Sequence, residues 1–166
     1  MLDTTACRFI CSSNNNIARI TKMVQALCKH YSSPLLSLEL PIPDPKDASK
    51  DVTYHPFPPP SALAAPEAAT KLRSLGFGYR ADFIQRTARM LVDEYSAAAT
   101  DSSILCDIEA PEKWLIGLRD LDTLKARDEL LRFVGVGRKV ADCILLMSLN
   151  KVTSAFQLAE SVLISP

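Results

Sequence analysis

A lysine that directly follows a glycine turn is the residue of this chain best placed to do chemistry. Residues 133–143 read Phe-Val-Gly-Val-Gly-Arg-Lys-Val-Ala-Asp-Cys, and Lys139 should fall in the first turn of an apolar helix. Gly135 and Gly137 allow left-handed backbone geometry and close approach of a ligand. The start of a helix presents unpaired N–H groups and a positive dipole end, which together suit one phosphate group. The same dipole favours an uncharged amine at Lys139, the form in which lysine acts as a nucleophile.

Cys143 lies four residues after Lys139, so the two side chains share one face of the predicted helix. A phosphate-binding turn and an activatable lysine in one short unit indicate chemistry on the backbone or the sugar of a nucleic acid. The unit alone is not specific. A glycine turn followed by lysine is more often an ordinary helix start with a solvated lysine, and a cysteine such as Cys143 on a partly apolar helix is more often a core residue.

The composition is that of an ordinary globular domain. The chain has 166 residues, of which 48% are hydrophobic and 23% are charged, and its formal net charge is zero. No overall basic excess therefore indicates nucleic acid, although residues 71–89 contain a local cluster of basic residues (Lys71, Arg73, Arg80, Arg86 and Arg89). The five cysteines form no CxxC pair, which favours free thiols and no metal site. No apolar run reaches the length of a membrane span, so we expect no membrane association.

Helical periodicity dominates the rest of the chain and predicts an all-α fold. Apolar residues recur at helical spacing from Ile17 to Cys28, after three asparagines at 14–16 that offer N-cap side chains. Further helices are expected at 66–75, 79–95, 111–118 and 121–134. The last leads into the glycine turn, so residues 121–150 should form a helix-hairpin-helix. Residues 32–60 hold eight of the eleven prolines and are expected to form a long irregular connection.

Four segments of the chain match one known pattern. They read Phe-Ile-Cys-Ser-Ser-Asn-Asn-Asn-Ile-Ala-Arg-Ile-Thr at 9–21, Asp-Val-Thr-Tyr-His-Pro-Phe at 51–57, Leu-Gly-Phe-Gly-Tyr-Arg-Ala at 75–81 and Gly-Val-Gly-Arg-Lys-Val-Ala-Asp-Cys at 135–143. In this order they resemble the eukaryotic 8-oxoguanine DNA glycosylase family. The resemblance implies a base-excision repair enzyme that flips 8-oxoguanine out of duplex DNA, cleaves its glycosidic bond and nicks the abasic site that results.

The resemblance assigns the damaged strand to the hairpin. Lys139 matches the lysine that forms a Schiff base with C1′ of the sugar, after which β-elimination cuts the strand. Cys143 matches a residue that lines the base pocket. The amides of Gly135 and Gly137 match a clamp for one phosphate.

The resemblance assigns the opposite strand to other residues. Asn14 matches a residue that occupies the vacated stack and contacts the orphaned cytosine, and Tyr79 matches the wedge that kinks the duplex. Arg19 and Arg80 match two arginines that donate to this cytosine, whose O2 and N3 acceptors suit a guanidinium. Without the resemblance, Asn14 is most simply an N-cap, and both arginines are solvated surface charge.

The family also implies the surroundings of the reaction. We expect a monomer that binds double-stranded DNA containing 8-oxoguanine or an abasic site, in the nucleus or the mitochondrion. No cofactor and no metal ligand are expected, apart from a monovalent cation on the hairpin carbonyls when DNA is bound.

The chain departs from the family pattern in three places, and two of them lower the activity expected of it. The chain begins within a family helix, without the N-terminal sheet domain. Val134 replaces a proline, a mild change that should leave the turn intact. Residues 152–166 do not resemble the family, so its catalytic aspartate has no counterpart, and neither Asp142 nor Glu160 lies in the right motif to replace it. We therefore expect an incomplete helix-hairpin-helix glycosylase domain at 1–151 and a non-homologous tail at 152–166. Two alternatives to an impaired enzyme are a non-catalytic DNA-binding remnant and a fragment that does not fold stably.

Overall fold

The computed structural model describes residues 5–39, 51–95 and 109–151, and most of these residues are helical. The helices are α1 (Thr5–Ile10), α2 (Ile17–Tyr31), α3 (Pro60–Leu63), α4 (Ala68–Ser74), α5 (Arg80–Tyr95), α6 (Ala110–Gly117), α7 (Thr123–Leu131) and α8 (Arg138–Met147). The predicted helical fold class is thus confirmed. The tail expected at 152–166 lies outside the described residues. Within the described ranges, no helix is both long enough and apolar enough to span a bilayer.

The expectation of an irregular connection at 32–60 needs a correction. Strands β1 (Leu36–Glu39) and β2 (Asp51–Tyr54) pair in an antiparallel ladder, with Leu36 opposite Tyr54. Four-residue strands are too short to show a period-two pattern in the sequence. The exposed fractions of Leu36 and Tyr54 are 52% and 51%, so this end of the ladder buries little apolar surface. The pairing therefore rests on backbone hydrogen bonds, which the side-chain pattern does not reveal.

Helix α5 is the element against which several others pack. It contacts α1, α3, α4 and α6, and it buries residues at helical spacing (Ala81, Ile84, Ala88 and Leu91). The two alanines let neighbouring helices approach closely, and burial of a side chain as large as Ile84 contributes about 1.5–3 kcal/mol. Thr87 on the same helix is also buried, and its Oγ1 donates to the carbonyl of Val134 at 2.7 Å. The central helix is therefore bonded directly to the glycine turn.

Helices α7 and α8 form the hairpin that carries this turn. The side chain of Asp122 caps α7 by accepting from the amide of Leu124 at 3.0 Å. Leu130 and Ile144 are fully buried in the core to which both helices contribute. Helix α8 also packs against α1, which brings the residues that follow α1 next to the first turn of α8.

The cysteines of the described segments are free thiols, as the sequence predicts. Cys7, Cys11 and Cys28 lie in the core. Burial raises the pKa of the Cys7 and Cys11 thiols to about 12. Since the thiolate is the reactive form, these two cysteines pack as small apolar side chains rather than acting as nucleophiles.

Candidate functional site

Lys139 lies at the exposed start of α8, immediately after the glycine turn. Its Nζ donates a hydrogen bond to Ser12 Oγ at 3.1 Å. Ser12 Oγ in turn donates to the carbonyl oxygen of Phe9 at 2.7 Å. Among the ion pairs formed by the described residues, none includes Lys139. The amine is thus held by a neutral hydroxyl and remains open to a ligand from solvent.

The turn before Lys139 requires glycine at position 135, whereas position 137 has room for a larger residue. Gly135 has φ +84, and a Cβ there would lie 2.8 Å from Cβ and a ring carbon of Phe83. Both the left-handed backbone and the Phe83 side chain on α5 therefore exclude other residues. Gly137 has φ −89 and is the N-cap residue of α8, and a Cβ added there would have nothing within 4 Å.

Arg80 is buried, which the sequence did not indicate. Its exposed fraction is only 3%, and its guanidinium donates to the carbonyl oxygens of Ser13, through Nε at 2.9 Å, and of Asn14, through Nη2 at 2.8 Å. The ring of Tyr79 covers the guanidinium carbon at 4.6 Å. The interpretation of Arg80 as solvated surface charge is therefore wrong. This arginine joins the start of α5 to the loop between α1 and α2, because a buried charge needs such partners.

Asn14 has a different local role from the one expected. It adopts the left-handed conformation, with φ +45, which asparagine tolerates better than most residues. The N-cap of α2 is Asn16, whose side chain accepts from the amide of Arg19 at 2.9 Å. The expectation that Asn14 is the cap is thus wrong. With the cap supplied two residues later, the exposed side chain of Asn14 is not needed to start α2.

Arg19 and Tyr79 complete this side of the surface. Arg19 is exposed, and its Nη2 donates to the carbonyl of Gly76 at 3.1 Å, so it bridges the start of α2 to the turn between α4 and α5. Tyr79 is 49% exposed. Its ring packs edge-on against Phe83, with 5.5 Å between ring centroids, and Phe83 in turn packs on Gly135. A chain of direct contacts thus runs from the exposed tyrosine to the glycine turn.

Contacts therefore unite most of the residues singled out from the sequence on one surface. The loop at 12–14 contacts Lys139 through Ser12 and Arg80 through the next two carbonyls. Cys143, one helical turn after Lys139, is partly buried and has a free thiol. Within the described ranges, no cluster of three or more His, Cys, Asp or Glu could hold a metal ion.

Sequence reasoning missed Ser12, which accepts the hydrogen bond from Lys139, and Phe83, which lies against Gly135. Ser12 lies inside a segment that resembles the family, but its partner is 127 residues away. Phe83 follows Tyr79 by four residues, and this helical spacing is the signal that could have identified it.

The chain is similar to known DNA repair proteins. The family model for HhH-GPD superfamily base excision DNA repair proteins matches residues 7–155. The chain is 38% identical over 148 residues to the N-glycosylase/DNA lyase of Saccharomyces cerevisiae, covering 88% of this chain and 34% of the yeast protein. It is 35% identical over 144 residues to the N-glycosylase/DNA lyase OGG1 of Arabidopsis thaliana, covering 87% and 32%. The chain thus spans about a third of the length of these curated relatives.

A solved structure shares the fold. It is the Clostridium acetobutylicum 8-oxoguanine glycosylase/lyase in complex with double-stranded DNA containing cytosine opposite 8-oxoguanine. The TM-score is 0.64 at 23% sequence identity, and the match covers 89% of this chain and 41% of the clostridial chain.

Proposed function

We propose that this chain, which belongs to the HhH-GPD superfamily of base excision DNA repair proteins, is part of an enzyme that excises 8-oxoguanine opposite cytosine and cleaves the abasic site. Lys139 is its nucleophile. The observation that carries the proposal is the exposed amine of Lys139 at the start of α8, directly after a turn whose Gly135 cannot be replaced without a clash. The enzyme would act in the nucleus or the mitochondrion, where the substrate DNA is found.

Lys139 would act in two steps. In the first, the amine lone pair forms a bond to C1′ as the bond between C1′ and the base breaks, and the bonding electron pair leaves with the base. Loss of an amine proton and opening of the sugar ring then give the imine. In the second step, removal of a proton from C2′ expels the 3′ phosphate and cuts the strand. A preformed abasic site bypasses the displacement of the base, because its aldehyde condenses with the amine to the same imine and releases water.

The opposite strand would meet the surface around Tyr79. Its half-exposed ring is supported from behind by Phe83, which suits a wedge that enters the base stack. Asn14 and Arg19 are exposed beside it and would contact the unpaired cytosine. Two nitrogens of the Arg80 guanidinium already hold the loop carbonyls, so we assign Nη1 of Arg80 to the cytosine.

The glycine turn would bind one phosphate through the amides of Gly135 and Gly137. A monovalent cation would bind at the same turn. From the described residues, the carbonyls of Phe133 and Val134 each accept one hydrogen bond, and a carbonyl oxygen has a second lone pair. These oxygens would hold the cation, which would add positive charge next to the phosphate.

A second candidate function is DNA binding without excision. It is favoured by the state of Asp142, the carboxylate on the same helix as Lys139. The guanidinium of Arg127 binds Asp142 Oδ1 through Nε at 2.8 Å and through Nη2 at 2.7 Å. One oxygen of this carboxylate therefore stabilises the hairpin, and the ion pair competes with any role of Asp142 in stabilising charge on the sugar. A missing electrostatic group typically costs about 10²–10³ in rate, so we expect slow excision of 8-oxoguanine while Asp142 is paired in this way.

Borohydride trapping tests the proposal and separates the two candidates. The 166-residue chain is incubated with a duplex that carries either 8-oxoguanine or a preformed abasic site opposite cytosine, and the covalent adduct is quantified. We expect an adduct with the abasic duplex that Lys139→Gln abolishes. The control is Lys125→Gln, which removes an exposed lysine from helix α7 of the same hairpin and should leave the adduct unchanged.

The two duplexes give distinct outcomes. An adduct with both duplexes supports the full enzyme, an adduct with the abasic duplex alone supports Lys139 as the nucleophile with slow excision, and binding to both without any adduct supports the DNA-binding module. An adduct that persists in Lys139→Gln would contradict the assignment of the nucleophile.

A further inference from the structure

We infer that Ser12 is a positioning residue that aims the lone pair of the Lys139 amine at the substrate. The inference rests on the proposed function of Lys139 as the nucleophile and deepens it. Ser12 lies in the turn after α1, and α1 packs against α8. The hydroxyl is therefore carried by an element whose position relative to Lys139 is fixed by the core.

The hydrogen-bond directions at Ser12 are determined by chemistry. A carbonyl oxygen can only accept, so the single hydroxyl proton of Ser12 must point to the oxygen of Phe9, 2.7 Å away. The same oxygen accepts the amide N–H of Ser12 at 3.0 Å. These two bonds from one residue to one acceptor fix the side-chain rotamer of Ser12.

It follows that Ser12 Oγ can only accept from Lys139 Nζ, across 3.1 Å. A hydroxyl with a free proton could instead donate to a neutral amine and occupy the lone pair that attacks C1′. Here that proton is already engaged, so the amine must place an N–H on Ser12. The lone pair then occupies one of the two positions on the nitrogen that do not face Ser12, and it stays free for attack.

The same bond assists when the amine has reacted. The nitrogen gains positive charge as it bonds to carbon, and an N–H on a positively charged nitrogen makes a stronger hydrogen bond to the Ser12 oxygen than a neutral amine does. Ser12 thus holds the reactive geometry before attack and favours the charged product after it, without touching the substrate.

The experiment compares Ser12→Ala with a serine that makes the same local bond elsewhere. Ser74 Oγ donates to the carbonyl of Lys71, three residues earlier, at 2.7 Å, and no lysine amine among the described residues donates to it. Ser12→Thr keeps the hydroxyl and serves as the rescue variant. The rate of borohydride-trapped adduct is measured at saturating duplex with an abasic site opposite cytosine, and the duplex Kd is measured separately.

We expect Ser12→Ala to lower the trapping rate by about tenfold, since a misplaced reacting group can cost as much as about 10²-fold. The duplex Kd should change by less than about twofold, because Ser12 is not among the residues that we assign to the duplex. Ser12→Thr and Ser74→Ala should both trap at close to the original rate. Equal rates for Ser12→Ala and the original chain, or an equal loss in Ser12→Ala and Ser12→Thr, would overturn the inference.

A measurement without DNA keeps this test independent of the proposed function. Nitrogen relaxation of the Lys139 side chain should show a restricted amine in the original chain and in Ser74→Ala, and a mobile one in Ser12→Ala. An unchanged amine mobility in Ser12→Ala would refute the positioning role. An original chain that forms no adduct would instead refute the proposed function, and the amine mobility would still decide for or against Ser12.

Discussion

Arg80 and Lys139 are both cationic side chains in the first turn of a helix, yet the fold treats them in opposite ways. Arg80 is 3% exposed and donates to two backbone carbonyls beneath the ring of Tyr79. Lys139 is exposed, and within the described part of the chain its amine has a single hydrogen bond, to Ser12. The loop at 12–14 supplies the partners of both.

The difference matches the two roles that we propose. A nucleophile such as Lys139 needs an open approach and few competing partners, whereas a wedge such as Tyr79, which enters the base stack, has to resist deformation. Tyr79 gains this resistance from Arg80 on one side and Phe83 on the other. The side that we propose for the opposite strand is therefore braced by several contacts, whereas the proposed nucleophile is held by its bond to Ser12. Substitutions on the two sides should then differ mainly in how much stability they remove.

The largest loss of stability is expected for Gly135→Ala, where the two sides meet. Alanine at φ +84 costs about 1–3 kcal/mol of backbone strain, and a Cβ 2.8 Å from Phe83 adds about 1–3 kcal/mol of overpacking. We expect the free energy of unfolding to fall by about 3 kcal/mol or more in urea denaturation. Gly137→Ala, with an ordinary φ and open space, is the matched control and should change it by about 1 kcal/mol or less. Equal losses in the two variants would show that Phe83 does not constrain the turn.

The next largest loss is expected for Arg80→Met. Methionine fills much of the volume but leaves the carbonyls of Ser13 and Asn14 without their donor. Each buried group left without a partner costs about 1–3 kcal/mol, so we expect a loss of about 2–3 kcal/mol by urea denaturation. Lys139→Met, at an exposed site, should stay within about 0.5 kcal/mol of the original chain. If Arg80→Met lost as little stability against unfolding as Lys139→Met, the two sides of the surface would not differ in the way we describe.

The elements of this fold were predictable where a local pattern determines them. Helix α5 follows from apolar residues at helical spacing, and the left-handed Gly135 follows from the turn that it must make. The β1–β2 ladder was not predictable, because four-residue strands carry no period and pair through backbone bonds across residues distant in the sequence.

The site was predictable as a set of residues and not as a set of contacts. Family resemblance selected Lys139, Tyr79 and Arg80, but a sequence does not state what an arginine donates to. The burial of Arg80 arises from carbonyls 66 and 67 residues earlier in the chain. The bond from Lys139 to Ser12 spans 127 residues. Both contacts depend on helix packing, which the positions of apolar residues constrain only loosely.

The smallest loss of stability is expected for Arg19→Met, which separates recognition from rigidity. Arg19, like Arg80, is proposed to contact the opposite strand, but it is exposed, and among the described residues its guanidinium makes one hydrogen bond, to the carbonyl of Gly76. Because water can replace this bond, the free energy of unfolding should change by about 0.5 kcal/mol or less. If Arg19 donates to the unpaired cytosine, the variant should still lose about 1–3 kcal/mol of its preference for an abasic site opposite cytosine over one opposite adenine.

The measurement for Arg19→Met is a pair of duplex titrations together with a urea denaturation. Arg80→Met should differ from Arg19→Met, because it should lose the preference for cytosine together with much of its stability against unfolding. Arg19→Met should therefore weaken discrimination in a chain that is otherwise as stable as the original. A stable Arg19→Met chain that still prefers cytosine would remove Arg19 from the recognition set. Recognition would then depend on the buried arginine, and on Asn14 in the loop that this arginine holds in place.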